Sequence, residues 1–90
     1  MSDGVHIMSF IQIIDGKRYL TLCFRRLLLT HEVSYLVEVS GDSVKWQPST
    51  NLVGEPILNA GGTQTVTYRD DVPVNAGRRF MRLRVSRRPP

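Results

Sequence analysis

The chain has 90 residues, enough for one domain around one core. Twelve Lys and Arg against eight Asp and Glu give a net charge of +4, and 41% of residues are hydrophobic, far above the composition of a disordered chain. The single cysteine, Cys23, excludes an internal disulfide and a cysteine-based metal cluster, and no apolar run approaches the ~18 residues needed to cross a bilayer as a helix.

Residues 1–8, with Gly4 and His6, read as a lead-in. Residues 9–14 (SFIQII) have strand composition, and Asp15-Gly16 is a turn signal that leads into residues 19–25 (YLTLCFR). There Leu20, Leu22 and Phe24 share one face, and Tyr19, Thr21, Cys23 and Arg25 the other. The run Leu27-Leu28-Leu29 breaks this alternation, and Thr30-His31-Glu32 reads as the connection to the next strand.

Residues 34–48 (SYLVEVSGDSVKWQP) organise the rest of the chain. Tyr35, Val37 and Val39 alternate with Leu36, Glu38 and Ser40, the period of a half-buried strand. Gly41-Asp42-Ser43 supplies turn chemistry, and Val44-Lys45-Trp46 resumes the extended pattern, so a hairpin carrying the only tryptophan is expected. A connection centred near Leu29-Thr30 would place Leu20, Leu22 and Phe24 opposite Val39, Val37 and Tyr35.

Residues 47–54 (QPSTNLVG) are turn-rich, and Pro48 argues against a central strand. Residues 55–58 suit a short edge strand, and Asn59-Ala60-Gly61-Gly62 a turn. Residues 63–69 (TQTVTYR) alternate again, with Val66 and Tyr68 sharing a face. After a loop over residues 70–77, residues 80–86 (FMRLRVS) direct Met81, Leu83 and Val85 inward and Arg82 and Arg84 to water. No helix-period segment of useful length occurs. Six to eight short strands with regularly spaced turns predict an all-β antiparallel sandwich over residues 9–86, immunoglobulin-like or jelly-roll-like, with residues 87–90 as a tail or linker.

The pattern YLVEVSGDSVKW, then TYRDDVPV, closed by RRFMRLRVS, resembles the small immunoglobulin- or fibronectin-type β-sandwich modules of secreted bacterial proteins, over roughly residues 17–86. Some of those modules are carbohydrate-binding modules appended to glycoside hydrolases. The resemblance implies an extracellular, non-catalytic domain, linked to a catalytic domain and bound to a plant polysaccharide of the β-glucan or xyloglucan type. It also leaves room for a structural calcium. One tryptophan departs from the two or three of several such families.

The residues themselves speak against catalysis. His6 and His31 belong to no metal or nucleophile motif, and Gly61-Gly62 precedes no Lys-Ser/Thr of a phosphate loop. Glu38, Glu55, Asp70 and Asp71 read as loop and surface acids rather than a glycosidase pair. Asp70 and Asp71 are nevertheless the candidate calcium ligands, since calcium takes carboxylate and carbonyl oxygens.

Sugar binding needs a flat aromatic face with polar groups beside it. The candidates are Trp46, Tyr19 and Tyr68, with Gln47 as amide partner. A two-residue turn at Asp42-Ser43 sends Trp46 to the core, whereas one residue of slippage sends it outside, near Tyr19. The arginines concentrated after residue 76 suit an acidic polymer, but no aromatics interleave with Arg82 and Arg84, so nucleic acid is not an expected partner. The alternative is a spacer sandwich without a ligand of its own.

Overall fold

A computed structural model describes residues 7–27, 33–49, 51–74 and 77–87. Among these residues eight strands make up two antiparallel sheets, and there is no α-helix. They are β1 (Ile7–Ile14), β2 (Lys17–Leu27), β3 (Val33–Ser40), β4 (Gln47–Pro48), β5 (Asn51–Leu52), β6 (Ile57–Asn59), β7 (Thr63–Arg69) and β8 (Phe80–Arg87). The larger sheet runs β1-β2-β7-β5, with β6 also on β7, and the smaller runs β4-β3-β8. The chain is an all-β sandwich, as its alternation predicts.

The first hairpin forms where expected. Asp15 and Gly16 both adopt positive φ, 52° and 76°, the backbone of a tight turn whose twist matches its strands. Ile14 therefore pairs with Lys17, and the ladder continues to Ile7 opposite Phe24. β1 starts at Ile7, inside the expected lead-in.

The expected pairing of β2 with β3 does not occur. β2 pairs with β1 and β7, while β3 pairs with β4 and β8. Alternation correctly selects the buried faces, but it cannot say whether two faces lie side by side or stack across layers. Here they stack. Phe24 of β2 meets Tyr35 of β3 with ring centroids 6.0 Å apart, and meets Tyr68 of β7 at 6.1 Å. Leu22, Phe24, Val37 and Val66 form the buried centre, flanked by Tyr35, Tyr68, Met81 and Leu83. Residues 28–32, which contain the broken leucine run and His31, lie outside the described residues, as does His6.

Two further departures involve the middle of the chain. Residues 44–46 belong to no strand: β4 begins at Gln47, and Pro48 sits opposite Glu38 on the sheet edge, where a missing N–H is tolerated. The turn-rich stretch then crosses between layers. The Ser49 N–H donates to the Val37 carbonyl at 2.8 Å in the smaller sheet, and its hydroxyl donates to the Arg69 carbonyl at 2.7 Å in the larger. Ser49 thus closes the sandwich along the β4/β5 side. The expected edge strand at residues 55–58 is shifted slightly to Ile57–Asn59.

Candidate functional site

The register of β3 decides where the tryptophan goes. Val39 pairs with Gln47 and Glu38 with Pro48, one residue beyond the pairing that would bury Trp46. Asp42 causes that slip. Its carboxylate accepts from the Val44 and Lys45 N–H groups, each at 2.9 Å, and from the Ser40 hydroxyl at 3.0 Å. The Ser40 oxygen in turn accepts from the Asp42 and Ser43 N–H groups. Side-chain bonds of this kind offer the backbone an alternative to the ladder, so the turn widens from two residues to six (41–46). Hydrogen bonds from the N–H groups of Lys45 and Val44, then from Ser40, hold the Asp42 carboxyl below its usual 3.8.

Trp46 accordingly stands on the outer face of the smaller sheet. Arg82 projects from the same face of β8, with its guanidinium carbon 3.9 Å from the centre of the indole ring. The Arg82 Nε–H donates to Glu38 Oε1 at 2.9 Å, across the β3–β8 pair in which the two residues stand opposite. Glu38 is buried, so its charge has a partner where water is scarce. Indole, guanidinium and carboxylate form one linked row. Leu36 and Arg84 are paired on the same face, and both are exposed.

The other sequence candidates lie elsewhere. Tyr19 is half-buried on the outer face of the larger sheet, with the Arg69 guanidinium 4.5 Å above its ring. Slippage therefore carries Trp46 outside, but to the opposite side of the molecule from Tyr19. Tyr68 packs inward against Phe24. Gln47 is exposed, but it stands opposite Val39 and lines a shallow cavity of about 250 Å³ with Asp42, Lys45 and Arg79, rather than the indole. The four residues do not converge. Gln12, which composition did not single out, stands opposite Tyr19, and its buried Oε1 has no hydrogen-bond partner.

Asp70 is fully buried at the end of β7, where its two carboxylate oxygens accept from Arg79 Nε at 2.6 Å and Nη2 at 2.9 Å. Oδ1 also accepts from the Val72 N–H at 3.1 Å. The Asp71 carboxylate accepts from the Asn51 side-chain amide. With Asp70 committed to a guanidinium and Asp71 to an amide, the pair does not offer calcium a free oxygen set. No cluster of three His, Cys, Asp or Glu side chains suited to a metal occurs among the described residues. The Asp70 contact also raises the Arg79 pKa above its usual value.

A second cavity, about 340 Å³, lies among Ile7, Met8, Cys23, Phe24, Arg25 and Thr65, away from Trp46. No protein-family model, curated protein or solved structure matches this chain.

Proposed function

We propose that this domain is a non-catalytic module that binds a neutral plant polysaccharide of the β-glucan or xyloglucan type, and that it holds a linked, secreted glycoside hydrolase against that polymer. The observation that carries this reading is the outward Trp46, fixed by Arg82, which is itself fixed by Glu38. A small sandwich gains stability by burying its largest side chain. An indole held instead on a sheet face, in one orientation, is an ordered stacking surface with charged hydrogen-bonding groups beside it. Carbohydrate rings meet such surfaces through their C–H faces and satisfy their hydroxyls on neighbouring polar groups.

Affinity electrophoresis through gels containing β-glucan, xyloglucan or xylan tests this. Retardation in a glucan gel should disappear in Trp46→Ala, persist in Tyr19→Ala on the opposite sheet, and change little with salt, since stacking on neutral sugar is not screened. Unretarded migration of the wild type in every gel would sink the proposal.

The alternative is a spacer sandwich, favoured by the fact that Arg82 already occupies one face of the indole. In that reading Trp46→Ala alters stability and nothing else.

A further inference from the structure

The two layers of the sandwich are unequal. In the larger sheet, β5 and β6 share the far edge of β7, so the order across it is β5/β6, β7, β2, β1: four positions. The smaller sheet has three, β4, β3 and β8. Ser49 aligns the β4 side with the β5 side, and β8 lies nearest β2 across the layers. Extending the smaller sheet by one strand beyond β8 therefore reaches the space beneath β1.

Two independent features coincide at that position. Among the described residues β8 is bonded only to β3, and no described strand pairs with the alternate backbone N–H and C=O groups along its other edge. The face of β1 that pairs with the core side of β2 carries Ile7, Ile11 and Ile13, which remain 51%, 47% and 67% exposed. Val85, on the inner face of β8, is 46% exposed. An open backbone edge beside an uncovered apolar face is the recognition surface of an added β-strand, which supplies main-chain hydrogen bonds and alternate apolar side chains together.

We propose that this position receives an extended segment of a second polypeptide, hydrogen-bonded along β8, with alternate apolar side chains over Ile7 and Ile11 and alternate acidic side chains beside Arg84. Charge selects the occupant. The outward face of β8 presents Arg82 and Arg84, and Arg82 is already matched by Glu38. A strand with acidic outward residues complements Arg84 and a chain of net charge +4. A second copy of this chain paired through β8 would set one arginine row against the other, which is unfavourable.

The probe is a synthetic peptide as long as β8 that alternates Val and Glu, compared with its Val/Lys counterpart, on the full chain. The Val/Glu peptide should bind saturably by fluorescence anisotropy, at least about tenfold more tightly than the Val/Lys peptide. It should also slow hydrogen exchange in residues 80–87. Ile11→Glu should weaken binding about tenfold or more, whereas Ile57→Glu, at a more exposed isoleucine on the opposite edge, should leave it unchanged. Val85→Glu repeats the test from the smaller sheet and does not depend on β1. Equal affinity for the two peptides, no binding of either, or insensitivity to both Ile11→Glu and Val85→Glu would overturn the proposal. So would dimerisation through β8, or full protection of its edge amides without peptide.

Discussion

Two aspartates show how one residue type serves opposite ends of the solvent scale. Asp70 has no solvent exposure and forms a paired hydrogen bond with Arg79, which ties the end of β7 to the entry of β8. Removing one partner of a buried pair leaves an uncompensated charge, so Arg79→Ala should destabilise the domain by about 3–5 kcal/mol. Thermal denaturation should show a fall in Tm of more than about 10 °C. The double variant Asp70→Asn/Arg79→Leu should lose less than Arg79→Ala alone, because no unpaired charge stays buried. Equal losses would show that the stability comes from something other than charge pairing.

Asp42 is exposed and acts through three local hydrogen bonds, so its contribution is to the turn. Its folded pKa is depressed. The carboxylate therefore supports the turn above the unfolded value of 3.8, and that support is lost as pH falls through the lower folded value. Amide protection factors of Val44 and Lys45 should drop in that acid window and be low at every pH in Asp42→Ala. Protection in the wild type that ignores pH would contradict the assignment.

At the level of elements, the strands with an alternating pattern were legible in the sequence because period two is a direct consequence of pleating. Leu22, Phe24, Val37 and Tyr35 all turn toward the core as their alternation predicts, and Arg82 lies on the outer face opposite Glu38. What alternation cannot specify is the partner strand. β2 and β3 have complementary apolar faces whether they pair edge to edge or stack, and the choice depends on the connection between them and on competition from β7 and β8.

The same limit governed the site. The position of Trp46 turns on a one-residue register set by Asp42 and Ser40, side chains that read from sequence only as generic turn formers. The Asp70–Arg79 pair was illegible for a related reason: the two residues are joined by folding across a loop, and Asp70-Asp71 looks like a solvated acidic pair until Arg79 is placed beside it.

For the whole molecule, five of the seven aromatic residues are sorted into three environments. Phe24, Tyr35 and Tyr68 stack in the interior, Tyr19 lies under Arg69 on the larger sheet, and Trp46 lies under Arg82 on the smaller. This sorting divides the molecule into a core that holds the layers together and two outer faces; Trp46 centres the surface proposed to meet a glycan, and the position proposed to receive a strand lies beside β8. The two proposed surfaces are separable. Trp46→Ala should leave peptide binding at β8 intact, and Ile11→Glu should leave retardation in glucan gels intact.

The proposed glycan surface depends on which way Trp46 faces, and proton NMR measures that directly. Nuclear Overhauser contacts from the indole ring should reach the Arg82 side-chain methylenes and should be absent to Leu22, Val37 and Met81. Strong contacts to those core residues, with none to Arg82, would contradict the register of β3 and β4 and the surface built on it.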